Sequence, residues 1–227
     1  MGHFLESCVL RVRRHCRSRR AELFRCWLRP SEQDRILDLG GGYGDYFATV
    51  VPFRRNVWIA DIDERILERA RRQGFQTVLI PTDGTLPFGN QYFDIVHCNS
   101  VIEHILSVEH RARLAREIRR VGCNWFVQTP NRYFLVEPHT YVPFGQYLPR
   151  PLLHAFVRYA RGIRGDDLLQ WELLDRRELR ALFPEGQLIR ERFFGMTKCL
   201  VVIGGERAQM HVDLRPTAAR MSPLPPS

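Results

Sequence analysis

The sequence predicts an α/β protein with a doubly wound, open sheet of seven strands, mostly parallel, with helices on both faces. Short apolar runs alternate with amphipathic segments along residues 31–205, an order typical of parallel β-α-β units. The first apolar run ends abruptly in a glycine-rich turn. Only a short link around Gly195 separates the last two runs, so they are expected to pair as a C-terminal antiparallel hairpin.

The elements follow in a regular order. Residues 4–28 carry apolar side chains three and four positions apart, which predicts one or two amphipathic helices that stop before Pro30. The predicted strands are residues 35–39, 56–60, 77–80, 93–98, 125–129, 187–194 and 198–203. The predicted helices between them are residues 46–51, 64–72, 109–121 and 175–183. Asp175 and Glu178 have the spacing of a capping box at the start of the last helix.

The domain boundaries follow from changes in composition. We expect one α/β domain over 31–205, preceded by a basic amphipathic helical arm over 1–30. Prolines and aromatic residues break the α/β rhythm over 131–170, which predicts an acceptor-side insertion or lid that includes a helix starting near Pro151. From 206 to 227 the chain is polar and rich in proline, which predicts a disordered tail.

The net charge of +9 suggests a polyanionic partner at first, but its distribution argues against one. Residues 1–30 contain eight Arg and two Glu, a net charge of +6, so the other 197 residues carry only +3. Nucleic acid is therefore not the expected partner. An arginine-rich helix face is usually a solvated surface, and peripheral contact of the arm with an anionic membrane is the alternative.

Cysteine and histidine spacing gives no reason to expect a metal centre. The six cysteines are scattered without a two-residue separation, and no histidine pair has the spacing of a zinc motif. Free thiols indicate a reducing compartment. Because no apolar run approaches about 18 residues and no signal-peptide pattern is visible, we expect a cytoplasmic protein, with attachment to the inner face of a membrane as a variant.

The unusual polar and glycine residues stand where predicted strands end. Gly40–Gly44 follows the first strand, Asp61 the second and Asp83 the third, while Asn99 and Ser100 follow the fourth. Ligands of open α/β sheets bind at this carboxyl edge. Glycines let a ligand approach the backbone, and a carboxylate after the second strand is placed to accept hydrogen bonds from ribose hydroxyls. The ligand expected here is a cofactor that contains a nucleoside.

Glycine spacing separates the cofactor classes. The sequence reads Asp38-x-Gly40-x-Gly42-x-Gly44, whereas a dinucleotide fingerprint that starts at Gly40 needs a third glycine where Asp45 stands. No G-x-x-x-x-G-K-[ST] motif for a nucleoside triphosphate is present. The loop therefore departs from both common phosphate-binding patterns.

With these residues in view, the segment 34–130 resembles the class I S-adenosylmethionine-dependent methyltransferases of the type 11 group. The resemblance rests on several motifs that occur in the family's order, namely residues 36–44, 59–63, 83–88, 92–96 and 101–105. It implies a Rossmann-like fold, a methyltransferase activity and S-adenosylmethionine as the cofactor.

The resemblance also implies a set of cofactor-binding residues. The aspartate and glycine loop after the first strand would hold the methionine end, and the acids after the second and third strands would bind the ribose and the adenine amine. An isoleucine and a glycine beside those acids would sandwich the adenine, and the pair after the fourth strand would flank the methionyl group. The implied residues are Asp38, Gly40, Gly41, Gly42, Gly44, Asp61, Ile62, Asp83, Gly84, Asn99 and Ser100.

The acceptor side is less specific. The run from Thr129-Pro130-Asn131 to His139 resembles a subgroup that acts on small or lipid-linked acceptors, so we expect O-methylation of such an acceptor by in-line displacement. A hydroxyl acceptor needs a base, for which His104, Glu137 and His139 are the candidates. The alternatives are a NAD- or nucleotide-sugar-dependent Rossmann enzyme and a noncatalytic module that binds S-adenosylmethionine.

Overall fold

The computed structural model describes residues 2–140, 142–161 and 171–213 and contains a seven-stranded sheet. The strands are β1 (Ile36–Leu39), β2 (Val57–Asp61), β3 (Gln76–Leu79), β4 (Phe93–Asn99), β5 (Gly122–Pro130), β6 (Gln187–Phe193) and β7 (Met196–Gly205). The helices are α1 (Gly2–Leu28), α2 (Phe47–Val50), α3 (Glu64–Arg72), α4 (Val108–Val121), α5 (Arg150–Arg161), α6 (Arg176–Leu182) and α7 (Glu206–Asp213).

The strand order is β3-β2-β1-β4-β5-β7-β6, and the predicted fold class is confirmed. β1 to β5 run parallel, whereas β7 pairs antiparallel with both β5 and β6. The order reverses between β1 and β4, so their carboxyl ends flank the crevice where open α/β sheets bind ligands. The glycine loop follows β1, and Asn99 ends β4.

Helix starts follow from capping side chains. Asp63 accepts a hydrogen bond from the amide of Arg65 at the start of α3, and Ser107 accepts one from the amide of His110 in α4. The predicted capping box at the start of α6 is present, because Asp175 and the Glu178 side chain each accept a hydrogen bond from the other's backbone amide.

Each face of the sheet carries its own buried cluster. One cluster packs side chains of α4 and α6 against the sheet, including Leu114, Ile118 and Leu179. The other packs side chains of α1, α2, α3 and α7 against the opposite face, including Phe24 and Leu67. Helices therefore cover both faces, as the alternation of apolar runs predicted.

Helix α1 differs from the separate arm that the sequence suggested for residues 1–30. Ala21, Phe24, Trp27 and Leu28 are buried against the sheet because they recur at spacings of three, three and one along one helical stripe. Phe24 is fully buried, which removes enough apolar surface to contribute about 2 kcal/mol. The second half of the helix is therefore part of the core, whereas Arg11 and Arg14 of the first half are exposed.

The C-terminal tail and the 131–170 insertion also differ in detail from what the sequence predicted. The expected tail over 206–227 is wrong for its first eight residues, which form α7 because Ala208 packs into the core and Arg207 pairs with Asp34. The rest of that tail lies outside the described residues. Within the 131–170 segment a helix, α5, is present as predicted, and residues 162–170 lie outside the described part.

In the described chain no helix is both long and apolar enough to cross a bilayer.

Candidate active site

The glycine loop after β1 is shaped by close backbone approach. The amide of Gly40 donates to the carbonyl of Ala60 at 2.7 Å, which keeps the loop beside the end of β2. Gly40 has φ +65°, and a Cβ there would lie 2.4 Å from Val101. A Cβ at Gly41 would lie 2.2 Å from the carboxylate of Asp38. Side chains are therefore excluded at both positions, and the backbone is left accessible to a ligand.

The other two loop glycines have different surroundings. Gly42 has φ +57°, and a Cβ there would meet no atom within 4 Å, so the loop leaves open space on that side. Gly44 has φ +79°, and its Cβ position lies 2.6 Å from the ring of Phe75. Packing against Phe75 thus explains Gly44, and its predicted contact with the cofactor stays a prediction.

Asp38 is buried and held by a histidine that the motif analysis missed. The Nδ1 atom of His97 lies 2.6 Å from the Asp38 Oδ1 atom. The His97 ring stacks on Phe126 at a centroid distance of 5.5 Å and meets the edge of Phe24 at 5.2 Å. Since Phe24 belongs to α1, the N-terminal helix helps to fix the acid of the glycine motif.

The acid after β2 is fixed by its own backbone turn. The Oδ1 atom of Asp61 accepts hydrogen bonds from the amides of Ile62 at 2.8 Å and Asp63 at 3.2 Å. Ile62 has 59% of its surface exposed although it is apolar, and it stands directly after this acid. The predicted roles, Asp61 at the ribose and Ile62 against the adenine, remain predictions that this geometry allows.

Both carboxylate oxygens of Asp83, the acid after β3, already have hydrogen-bond partners within the protein. The Oδ1 atom of Asp83 accepts from the amide and hydroxyl of Thr85, and its Oδ2 atom accepts from Arg113 at 2.9 Å. The hydrogen bonds from Thr85 are the largest cause that holds the pKa of Asp83 below its usual range. Gly84 is buried with φ +86°, and its Cβ position lies 2.7 Å from the carbonyl of His110 in α4. Packing therefore explains Gly84, and its predicted adenine contact is untested.

A cavity of about 620 Å³ opens at the carboxyl ends of β1, β4 and β5. Eight of the residues singled out from the sequence line it: Asp38, Gly40, Gly41, Gly42, Asn99, Ser100, His104 and His139. The lining does not include Gly44, Asp61, Ile62, Asp83, Gly84 or Glu137. The cavity thus unites the methionine end of the predicted cofactor site with two of the predicted base candidates.

Asn99 and Ser100 are held from two sides. The Oδ1 atom of Asn99 accepts a hydrogen bond from Arg20 at 2.7 Å. Ser100 has φ +57°, and its hydroxyl donates to the Gln128 side chain at 2.9 Å. The turn after β4 is therefore tied to α1 through Arg20 and to β5 through Gln128.

Arg20 belongs to the site, although in the sequence it is only one of the eight arginines in residues 1–30. It is buried, it lines the cavity, and it lies 3.0 Å from a carboxylate oxygen of Glu191 in β6. It also donates to the thiol of Cys199 at 3.5 Å, and burial raises the pKa of that thiol to about 12. The thiol is therefore neutral, and Arg20 has Glu191 as its charged partner.

Glu103 is fully buried at the start of the turn after β4 and lines the same cavity. The Thr129 hydroxyl donates to its Oε2 atom at 3.0 Å, and its Oε1 atom has no hydrogen-bond partner among the described residues. Burial raises the pKa of Glu103 to about 7 in spite of these polar contacts. The sequence analysis quoted Glu103 in a motif but assigned it no role.

The base candidates of the insertion form a chain. The Nδ1 atom of His139 lies 2.8 Å from the Oε1 atom of Glu137, and the other oxygen of Glu137 accepts from the amide and hydroxyl of Thr140. Burial opposes ionisation of Glu137, but hydrogen bonds from His139 and Thr140 hold its pKa below the usual range. Glu137 does not line the cavity, so it orients His139 and is not itself placed as a base.

His104 completes this side of the cavity. Its ring lies 5.1 Å from the ring of His139, edge to face, and His139 stacks on Trp171 at 4.4 Å. Glu103, His104 and His139 can each bring one ligand atom within 4.8 Å of the others. The spacing of histidines and cysteines gave no indication of this group, because its members come from two distant segments of the chain.

Comparisons with known proteins show which proteins this domain is similar to. Residues 37–123 match the family described as Methyltransferase domain. This segment is therefore similar to a methyltransferase domain, and the fold of the chain is the Rossmann-like fold of methyltransferases of known structure. S-adenosylmethionine is the cofactor of such domains, as the sequence predicted. The open space beside Gly42 and the backbone of the loop leave room for its methionine end.

Similar proteins extend over more of the chain than the family match. The uncharacterized methyltransferase YcgJ of Bacillus subtilis is 26% identical over 163 residues, 69% of this chain and 57% of its own length. This chain therefore matches less than two thirds of that relative. The structure of YcgJ superposes with a TM-score of 0.53 and 18% identity over 79% of this chain and 71% of YcgJ. A methyltransferase of Mesorhizobium loti superposes equally well, at 0.53 and 18%, over 81% of this chain and 96% of its own.

The site residues that the sequence did not single out are His97, Glu103, Arg20 and Gln128. A histidine inside an apolar strand was a usable signal for His97, since such a residue needs a buried partner. Glu103 stands next to a base candidate, which was also a signal. Nothing in the sequence separates Arg20 from the other arginines of α1, because only the fold buries it.

Proposed function

We propose that this protein is an S-adenosylmethionine-dependent methyltransferase that moves a methyl group to an oxygen of a small-molecule or lipid-linked acceptor. The observation that carries the proposal is a single cavity with two chemically different walls. One wall is the glycine loop with Asn99 and Ser100, and the other is the group of Glu103 and the two histidines. Donor and acceptor would meet between them.

The cofactor end of the proposal rests on accessible backbone and fixed carboxylates. Positions 40 and 41 exclude side chains, and Asp61 stands beside the loop through the contact between Gly40 and Ala60. Asn99 is held by Arg20 and so presents a fixed amide to the cavity. These residues would bind the methionine and ribose parts, and the bound cofactor would supply an activated methyl group on sulfur.

The acceptor end is both apolar and cationic. Val12, Phe134 and Phe193 contribute apolar side chains to the cavity, while Arg13 and Lys198 contribute positive charge. This combination favours an amphipathic acceptor with an anionic part, such as a small acid or a lipid-linked group. The cavity has a volume of about 620 Å³, a size that suits a small-molecule acceptor better than a base within a nucleic-acid duplex.

Methyl transfer depends mainly on alignment. The chain has to hold an acceptor oxygen in line with the breaking bond and exclude water, because proximity and orientation supply most of the acceleration. His104 and His139 line the acceptor side, and Glu137 fixes the orientation of the His139 ring through the 2.8 Å contact at Nδ1. This arrangement supports an acceptor that carries a hydroxyl, whose proton must be removed or withdrawn.

The first test measures binding of S-adenosylhomocysteine to the purified chain by calorimetry. We expect binding to the unmodified protein and a loss of about tenfold in Asp61→Asn, which removes a carboxylate that would bind ribose hydroxyls. Asp63→Asn is the matched control, since asparagine caps α3 as well as aspartate does. Failure of the unmodified protein to bind would contradict the proposal.

The second test identifies the acceptor class. The protein is incubated with methyl-labelled S-adenosylmethionine and a cell extract that is then split into lipid, small-molecule, RNA and protein fractions. We expect label in the lipid or small-molecule fraction, stable to acid if the product is an ether and labile to base if it is an ester. Label confined to RNA or protein would overturn the acceptor class while leaving the methyltransferase assignment in place.

Peripheral membrane contact is a further part of the proposal. Exposed arginines of α1 such as Arg11 and Arg14 could meet anionic headgroups, and α5 exposes Leu152, Phe156 and Tyr159 on one helical stripe. The test is co-sedimentation with phosphatidylcholine vesicles with and without phosphatidylglycerol. We expect binding only with the anionic lipid and a reduction in Arg11→Gln with Arg14→Gln. Equal sedimentation with both vesicles would contradict a role for the arginines.

A further inference from the structure

The acceptor-side wall of the cavity holds one carboxylate and two imidazoles close together. Glu103 and His104 belong to the short 3-10 helix after β4, and His139 belongs to the insertion. All three line the cavity, and each can place a ligand atom within 4.8 Å of the others. A carboxylate with two imidazoles is a common ligand set for divalent transition metals.

The carboxylate of Glu103 is only half satisfied. Its Oε2 atom accepts the Thr129 hydroxyl at 3.0 Å, whereas its Oε1 atom has no hydrogen-bond partner among the described residues. Glu103 has no exposed surface, so bulk water does not hydrate its Oε1 atom. A buried polar atom without a hydrogen-bond partner is unfavourable, and a buried carboxylate is normally paired or bound to a metal. The Oε1 atom is therefore a candidate ligand atom for a cation at this wall of the cavity.

His139 has the orientation expected of a metal ligand. Its Nδ1 atom is 2.8 Å from Glu137, whose buried carboxylate can only accept when ionised, so Nδ1 carries the proton. This leaves the Nε2 lone pair for a ligand. A carboxylate behind a histidine is the usual second partner in metal sites, where it fixes the tautomer. Stacking on Trp171 at 4.4 Å holds the plane of the ring.

We propose that Glu103, His104 and His139 bind one divalent first-row transition-metal ion at the wall of the cavity. Three protein ligands leave coordination positions open, as in metal sites that bind a substrate oxygen. The open positions would take an oxygen of the acceptor, which the ion would orient and make more acidic. That role rests on the proposed function, whereas binding of the ion does not.

Metal binding is tested on the full chain without any methyl transfer. Co²⁺ is added to the metal-free protein and followed by visible absorption, and Zn²⁺ binding is measured by calorimetry. We expect one ion per chain and a loss of at least tenfold in affinity in each of Glu103→Gln, His104→Ala and His139→Ala. His110→Ala is the matched control, because His110 lies in the first turn of α4 and does not line the cavity.

A variant behind the site separates ligation from general stability. Glu137→Gln keeps all three ligands but weakens the hydrogen bond to His139 Nδ1, so Zn²⁺ affinity should fall by about tenfold. His104 is exposed, so His104→Ala leaves the core intact and remains informative if Glu103→Gln unfolds the chain. Far-ultraviolet circular dichroism of each variant checks the fold.

Three results would overturn the proposal. The first is no binding of either ion, and the second is equal affinity in the three ligand variants and the control. The third is a thiolate-to-cobalt charge-transfer band, which would assign the ion to cysteines such as Cys16 and Cys199 at the same cavity. Binding of S-adenosylhomocysteine by metal-free protein separates these outcomes from a failure of the proposed function.

Discussion

The two walls of the cavity are built in different ways. The glycine loop of the donor wall comes from one continuous stretch, in which Gly40 and Gly41 exclude side chains and a Cβ at Gly41 would meet the carboxylate of Asp38. The acceptor wall is assembled from remote segments: Glu103 and His104 come from the turn after β4 and His139 from the insertion, while Arg20 of α1 lines the same cavity. Chemical roles on the donor wall are local in the chain, and those on the acceptor wall depend on the complete fold.

This difference separates what a substitution should do on each wall. A change on the donor wall should reduce ligand binding with little effect on stability, because backbone hydrogen bonds such as that from Gly40 to Ala60 hold the loop. A change at a buried charge of the acceptor wall should reduce stability first, since its partners lie far apart in the sequence.

Arg20→Ala should lower the free energy of unfolding by about 3 kcal/mol, because it leaves Glu191 without its partner and opens the contact to Asn99. The measurement is urea-induced unfolding followed by circular dichroism. Arg14→Ala, an exposed change on the same helix, is the control and should have no measurable effect. Equal midpoints for the two variants would show that α1 acts as a separate arm and does not belong to the wall.

Gly41→Ala should weaken binding of S-adenosylhomocysteine by at least about thirtyfold, or about 2 kcal/mol, because the added Cβ displaces the Asp38 carboxylate. Calorimetry measures the affinity. Gly89→Ala is the matched control, since a Cβ there meets no atom within 4 Å and its φ is not in the left-handed region. If both variants kept full affinity, the loop would not be the cofactor site.

The contrast also explains how much the sequence could predict. The seven strands and the glycine motif were predictable because alternation and local spacing determine them, and β1, α3 and α6 begin or end within about two residues of the expected bounds. Asp175 illustrates this, since its capping partner is three residues away. Local patterns of this kind carry their own physical cause.

The acceptor wall was predictable only in part. His104 and His139 were selected as bases, yet their approach to 5.1 Å requires the insertion to fold over the turn after β4. Arg20 and Glu103 are buried because helix α1 and strand β5 pack around them, and no short sequence motif predicts that packing. Glu137 was selected for its chemistry, but the fold turns it toward His139 and away from the cavity.

Ile62→Ser should lower affinity for S-adenosylhomocysteine about fivefold, or about 1 kcal/mol, through loss of apolar contact with the adenine. Stability should not change, because the side chain is 59% exposed. Val108→Ser, at an apolar position that is 72% exposed and outside the cavity, is the control. A loss of stability without loss of affinity would assign Ile62 to packing and weaken the donor-wall assignment.

The smallest expected effect concerns Asp34, which precedes β1 and does not line the cavity. Burial opposes ionisation of Asp34, but hydrogen bonds from Arg207 and Ser31 hold its pKa below the usual value. A depressed pKa means that this contribution to stability is complete above pH about 4 and is lost as the pH falls through the folded-state pKa.

Asp34→Asn should therefore cost no more than about 1 kcal/mol near neutral pH, because Arg207 is partly exposed and the pair is screened. The difference from the unmodified protein should shrink below pH about 4, where Asp34 itself becomes protonated. Urea unfolding at several pH values measures this difference. A difference that is constant down to pH about 2 would mean that the Asp34 charge contributes nothing. The pair of Asp34 and Arg207 joins α7 to the segment before β1, whereas Arg20, which pairs with Glu191, lines the cavity. Comparing Asp34→Asn with Arg20→Ala therefore separates the effect of an ion pair remote from the cavity from that of an ion pair beside it.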